Sequence, residues 1–357
     1  MATTQQEKES EFGEKLCTTQ EKFRGRDRNI NSSMNQQKRT AKMEKNGKKE
    51  IYKIGTWNVR GISGKKMELC GEFENSKLDM LVITETKKKG NGKMTIDNRY
   101  TLVWSGVHQD ERARGGVGFL MKSEVEEKYL NKWEAINERI MVFEMSYGGM
   151  VKTIIGVYGP NEGDKKEEKD HFWNELTLVV EEARGTIYIA GDFNGRVGKR
   201  SNQQTRCIRE HGEDVLNSNG KRFLEFCEIH GFIIGNTFFE HKDIQKYTRE
   251  VKSKGERSII DYILIEETNR NQIKDVRVYR RFEISSDHYL LVAKSKKKLN
   301  GKVSEMGAKK GRKEETIKYY KMRDKEVADQ FRYEVDKKLL EKLTEDAYDD
   351  RSLKELW

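Results

Sequence analysis

Ten short runs of aliphatic, β-branched and aromatic residues recur between residues 51 and 293. They are Ile51–Val59, Met80–Thr84, Thr101–Trp104, Val117–Met121, Ile140–Met145, Lys152–Tyr158, Ile187–Ala190, Tyr262–Ile265, Val276–Tyr279 and Tyr289–Ala293. Each has the length of one strand, and several are bounded by Gly or Asn, as strand ends often are. Two stretches among them have a helical period instead. Phe172, Leu176, Val179, Val180 and Ala183 share one helix face. Phe223, Phe226, Cys227 and His230 form a second stripe, with Ser218 or Asn219 placed to cap its start and Gly231 to stop it. Many strands and few helices predict a sheet-rich α/β sandwich, with residues 51–297 as one domain.

The flanks have a different texture. Residues 1–50 lack hydrophobic periodicity and carry 12 Lys or Arg against 8 acids, which predicts a disordered basic arm. Residues 298–316 are polar and read as a linker. Within 317–357, Val327, Phe331, Val335, Leu339 and Leu343 recur every four residues, predicting a helical connector. Leu353 and Leu356 continue an apolar pattern up to Trp357, as in a truncated segment.

Composition excludes several classes. A chain of 357 residues would carry about 18 prolines at average usage; this one has Pro160 alone, which removes collagen-like and proline-rich readings. There is no apolar run long enough for a transmembrane helix, so no membrane partner is expected. Met1–Glu14 is polar and does not read as a secretory signal. Cys17, Cys70, Cys207 and Cys227 are too scattered for a disulfide framework, which fits a reducing compartment. The net charge of +10 fits a polyanionic partner such as nucleic acid, although acids are abundant too. The basic run Lys294–Lys298 reads as a solvated linker, a DNA-backbone contact or a nuclear targeting signal. The expected location is the nucleus, otherwise the cytoplasm.

Polar residues recur where strands hand over to loops. Asn58 follows Thr56-Trp57, Glu85 follows Ile83-Thr84, and Tyr158 precedes Gly159-Pro160-Asn161. Asp192 and Asn194 follow Ala190-Gly191, Asp261 follows Ile259-Ile260, and Asp287-His288 precedes Tyr289-Leu290. Singly, each has a bland reading: an Asp or Asn after a strand is usually a turn residue, and a lone Glu a solvated one. The ordered set is more specific. Trp57-Asn58, Thr84-Glu85-Thr86, Tyr158-Gly159-Pro160-Asn161, Gly191-Asp192-Phe193-Asn194, Ser258-Ile259-Ile260-Asp261-Tyr262-Ile263 and Ser286-Asp287-His288 together resemble the endonuclease/exonuclease/phosphatase (DNase I-like) superfamily, from about Tyr52 to Lys294. Within it, Thr56-Trp57-Asn58-Val59-Arg60-Gly61, Gly159-Pro160-Asn161 and Phe226–Phe232 are most similar to the endonuclease domain of RTE/bovine-B non-LTR retrotransposons.

The resemblance implies a four-layer α/β fold: two mixed β-sheets packed face to face and flanked by helices. It implies a Mg²⁺-dependent DNA endonuclease, with Mn²⁺ as a substitute, acting as a monomer with no small-molecule cofactor. Cutting a phosphodiester needs a water nucleophile and charge relief on phosphate. A hard cation prefers oxygen ligands, so Glu85 with Asn58 would hold it. Asp192 would take the proton from water, and Asn194 would hold that water or the phosphate. His288, polarised by Asp261, would contact a phosphate oxygen; Tyr158 would bond the phosphate, and Asp287 would act near the metal. Asn161 and Arg249 are assigned to the substrate.

Two positions depart from better-known members. Arg60 stands where repair enzymes often have Asp, and Arg249 follows Tyr247-Thr248 where relatives commonly have Trp. Competing readings are a phosphatase for a small phosphoester and a non-catalytic DNA- or chromatin-binding protein. Cys207, His211, Cys227 and His230 invite zinc, but their spacing fits no standard site.

Overall fold

The computed structural model describes residues 51–147, 150–200, 205–296, 329–330 and 332–338. The expected arm at 1–50, the linker at 298–316 and most of the helical tail lie outside them. The chain divides into two compact units, Met1–Gly301 and Lys302–Trp357. In the second, 332–338 is helical, and Val335 is exposed.

The first unit begins with β1 (Ile51–Asn58), α1 (Lys66–Ser76), β2 (Met80–Thr84), β3 (Asn91–Ile96), β4 (Tyr100–Ser105), β5 (Val117–Lys122) and α2 (Ser123–Tyr129). It continues with β6 (Leu130–Ala135), β7 (Ile140–Tyr147), β8 (Met150–Tyr158), α3 (Lys166–Glu182), β9 (Thr186–Asp192), α4 (Ser218–His230) and β10 (Phe232–Ile234). The last elements are β11 (Arg249–Val251), β12 (Glu256–Ser258), β13 (Asp261–Glu266), β14 (Ile273–Tyr279) and β15 (Leu290–Lys296). Seven strands form one sheet in the order β14-β15-β1-β2-β5-β4-β3, and six form another in the order β10-β13-β9-β8-β7-β6. Both sheets are mixed: β1 runs parallel to β2, and β8 parallel to β9. The β11–β12 hairpin is separate from both.

Alternation along each strand assigns its faces. Tyr52, Ile54, Met80, Val82 and Phe119 of one sheet pack with Phe143, Ile154, Tyr188, Ala190 and Ile263 of the other. The opposite parity points outward. Ile155, Ile189 and Leu264 pack under α3 and α4 with Phe172, Leu176, Phe223 and Phe226. Leu81, Ile83, Leu290 and Val292 pack with Leu69 and Phe73 of α1. Helices therefore cover both outer faces of the sandwich, the expected four-layer arrangement.

The structure adds elements that the sequence pattern did not reveal. β3 and β6 are edge strands whose residues are mostly exposed or half-buried, so they lack a continuous apolar run. β10, β11 and β12 are three residues each. α1 buries only Leu69, Cys70, Phe73 and Ser76, and α2 buries none of its residues. The cap of α4 is Asn217 rather than Ser218 or Asn219: its side chain accepts from the Gly220 N–H, while Gly231 ends the helix in the left-handed region. The basic run at Lys294 begins inside β15 rather than in a linker. Among the described residues, no helix is long and apolar enough to cross a membrane.

Candidate active site

Strand register assembles the site. Asp192 pairs with Tyr158 on one side and with Asp261 on the other, so these three lie in a row across β8, β9 and β13. Their parity is that of Ile154, Ala190 and Ile263, which face the opposing sheet. Asn58 shares the parity of Tyr52 and Ile54 in that sheet. Each side chain stands at a strand end, where the inter-sheet core gives way to loops. The Asn58 amide Nδ2 bridges the sheets, donating to Asp192 Oδ2 at 2.9 Å and to Glu85 Oε1 at 3.0 Å.

His288 enters just before β15, with Nδ1 2.8 Å from Asp261 Oδ2 and Nε2 3.9 Å from Asp192 Oδ2. Both carboxylates and the ring are buried. Burial pulls the imidazole pKa down, but the Asp261 charge and hydrogen bond, with Asp192 and Asp287, raise it to about 9. Burial and the Asp261 charge raise the Asp192 carboxyl to about 7, against the pull of His288, Asn58 and the Asn194 N–H. One ring nitrogen thus faces a fixed partner while the other faces Asp192, an arrangement suited to holding and moving a proton.

Glu85 occupies the left-handed region at φ 51°, immediately after β2. Its Oε1 accepts from Tyr158 OH at 3.3 Å as well as from Asn58, and Oε2 lies 3.5 Å from Lys87 Nζ. Burial, followed by the charges of Glu85 and Asp192, pushes the Tyr158 phenol well above its ordinary range, so it remains a donor. Glu85 and Asp192 offer carboxylate oxygens on either side of one amide, and Asp261 Oδ1 is buried without a hydrogen-bond partner. Such an oxygen-only donor set suits a hard divalent cation. Asn58 Oδ1 itself accepts from the Arg60 N–H at 3.1 Å, so the amide nitrogen is what joins the carboxylates. Asp192, Asp261 and His288 also have ligand atoms within 4.8 Å of one another. Asp192 thus stands between the Glu85 corner, whose oxygens could seat a cation, and the Asp261–His288 pair, which is suited to holding a proton.

The supporting residues are where sequence reasoning was incomplete. Phe193 points outward and stacks on Phe223 with centroids 4.2 Å apart, anchoring the turn between Asp192 and Asn194. Asn194 stands outside the buried trio: its Nδ2 donates to the Gly159 carbonyl at 2.9 Å and its N–H to Asp192 Oδ1 at 3.0 Å. Asn219 donates to the carbonyls of Pro160 and Asn194, tying both site loops to α4. Thr248 Oγ1 accepts from the N–H groups of Ile260 and Asp261. Trp57 Nε1 donates to the His288 carbonyl, and Ser286 Oγ to that of Asn58. Trp57, Thr248 and Ser286 all lie inside the motifs quoted above, but no spacing rule separates such fasteners from the groups they hold.

Two assigned residues lie apart from the cluster. Asn161 is exposed and donates to Asp164, closing its own turn. Arg249 reaches Asp287, its Nε 2.9 Å from Oδ2, and Arg60 Nη1 lies 3.3 Å from Oδ1. The Asp287 carboxyl is held below its ordinary range: burial opposes this, but His288, Arg249 and Arg60 outweigh it. The zinc reading finds no support among the described residues. Cys207 and Cys227 belong to the apolar cluster beneath α3 and α4, where burial drives the Cys207 thiol to about 12, and His230 bonds Thr177.

The fold and site have known counterparts. Craniofacial development protein 2 of Bos taurus is 29% identical over 254 residues, covering 70% of this chain and 42% of that protein, so the chain spans less than half of this relative. A 3'-5' exonuclease (NExo) from Neisseria meningitidis superposes with a TM-score of 0.52 at 20% identity, over 68% of this chain and 99% of that one. The endonuclease domain of TRAS1, a telomere-specific non-LTR retrotransposon, gives 0.50 at 15% identity, over 69% and 98%. These two likenesses establish a shared fold. Residues 55–288, which include every member of the cluster from Asn58 to His288, match the family model, and the chain belongs to the endonuclease/exonuclease/phosphatase family.

Proposed function

We propose that this chain is a Mg²⁺-dependent DNA endonuclease that nicks one strand by water attack on a phosphodiester. Enzymes of the family generally hydrolyse phosphoester bonds and use divalent metals. The observation that carries the reading is the linked set Asn58–Asp192 and Asp261–His288, closed by a 3.9 Å approach of His288 to Asp192. Glu85, aligned with Asp192 by Asn58, would hold the cation. When bound, it would supply charge relief on the phosphate.

Asp192, as carboxylate, takes a proton from the attacking water. The water oxygen bonds to phosphorus, the P–O3′ bond breaks, and the 3′ oxygen leaves as a hydroxyl after taking a proton from solvent water. His288 stands opposite Asp192 as imidazolium, able to stabilise phosphate charge through Nε2–H, and Asp261 fixes its ring. Tyr158 donates its phenolic hydrogen within the same pocket.

Nicking of supercoiled plasmid in Mg²⁺ tests this. Asp192→Asn and His288→Ala should each slow nicking about 10²–10⁴-fold, the usual contribution of a positioned acid or base. Variants that nick as fast as the wild type would overturn the assignment. Phosphate release from a small phosphoester without nicking would move the reading to a phosphatase. DNA binding without cleavage would move it to a binding protein.

A further inference from the structure

Arg60 and Arg249, the two departures from the family pattern, converge on one carboxylate. Asp287 receives Arg60 Nη1 on Oδ1 at 3.3 Å and Arg249 Nε on Oδ2 at 2.9 Å. Its two oxygens are thus each engaged by a guanidinium. A carboxylate bonded this way is a poor metal ligand, because a cation would have to displace an arginine or share an oxygen with it. The other guanidinium N–H donors of both arginines have no hydrogen-bond partner among the described residues, and the side chains are 55% and 37% exposed.

The backbones beneath these side chains are fixed. Arg60 adopts φ 53°, with its N–H held by Asn58 Oδ1. Lys65 Nζ donates to the carbonyls of Val59 and Ile284, lacing the Arg60 loop to the segment that leads to Asp287. On the other side, Glu250 N–H donates to the Asp287 carbonyl and Tyr289 N–H to that of Thr248, so the start of β11 is paired with the His288 segment. A cavity lined by Arg196, Arg249 and Arg257, with Glu162 and Glu256 also on its wall, continues from Arg249 along the β11–β12 hairpin.

We propose that Arg60 and Arg249, aimed by Asp287, form a clamp for a backbone phosphate beside the one that is cut. This rests on the endonuclease reading for its substrate. Two guanidinium groups with free donors, both held on Asp287 next to His288, suit the paired oxygens of a phosphodiester. Asp287 is a positioning residue in this assignment, acting through the arginines rather than on a metal. The trio has a net charge of +1, and removal of either arginine leaves it neutral.

The test uses the full chain and a short DNA duplex, with binding measured by fluorescence anisotropy in EDTA over a salt series, so that it does not depend on cleavage. Arg60→Ala and Arg249→Ala should each flatten the slope of log K against log salt by up to about 1. Arg60→Lys and Arg249→Lys, which keep the charge and guard against misfolding as an explanation, should retain the slope. Asp287→Asn should not flatten it, and in plasmid nicking should lower kcat without changing the Mg²⁺ concentration for half-maximal rate. Unchanged slopes in both alanine variants would overturn the clamp. So would an Asp287→Asn enzyme whose rate is restored by excess Mg²⁺, because that is the behaviour of a metal ligand. A chain that never nicks but shows these slopes refutes the endonuclease reading and leaves the clamp standing.

Discussion

His288 has a carboxylate facing each ring nitrogen, and this fixes its charge. With the folded imidazole raised to about 9, the group favours the folded state in full below the ordinary value of 6.5, and this contribution is lost as pH rises through about 9. In the metal-free protein, NMR of the imidazole should show half-titration near 9, and Asp261→Asn should bring it down sharply. A ring that titrates near 6.5 in the wild type would contradict the pairing. Asp192, raised to about 7, must be ionised to accept a proton, so the metal-free site carries its working pair of charges between about 7 and 9. Asp261→Asn removes the charge that raises both groups, so it should shift the pH dependence of nicking to lower pH. Asn58, Glu85, Asp192, Asp261 and His288 could be named from the sequence because their motifs occur together in the order that the family resemblance requires; singly, each looks like a turn or surface residue. Thr248 and Asn219 could not, because one hydroxyl and one amide look alike whether or not they hold a loop.

Among elements, α4 shows how closely the layers approach. A Cβ on Gly220 would lie 1.9 Å from the Arg196 carbonyl, so the first turn of the helix rests directly on the turn that follows Asn194. Gly220→Ala should cost about 1–3 kcal/mol or more by overpacking, read from urea denaturation, and should slow nicking by moving Asn219 away from Pro160 and Asn194. Thr248→Val is the complementary case. It keeps the shape but strips the acceptor from the N–H groups of Ile260 and Asp261, at a cost of about 1–3 kcal/mol. Full stability in that variant would mean the hydroxyl is not needed. The two larger helices were legible because each buries large apolar side chains at helical spacing: Phe172, Leu176 and Val180 in α3, and Phe223 and Phe226 in α4. α2, with nothing buried, and the edge strands β3 and β6, whose residues are mostly exposed or half-buried, offer no apolar run to read.

Among the described residues, the three apolar clusters are built from positions between Tyr52 and Ala293. A chain ending at Gly301 keeps all three clusters and should unfold in one cooperative transition; separate transitions by two probes would show that the clusters do not form one core. The sandwich could be anticipated from the count of strand-like runs, but its register could not, since period-2 alternation fixes a strand's faces and not its neighbours. On the proposed mechanism, the residues that handle the proton are split between the sheets. Asp192 and Asp261 stand on β9 and β13, whereas Asn58 and His288 belong to β1 and the approach to β15. The buried layer between them, including Phe119 against Phe143 at 5.4 Å, is thus a spacer that sets the gauge of the catalytic gap. Side chains that never meet DNA would, on this reading, tune its chemistry simply by their thickness.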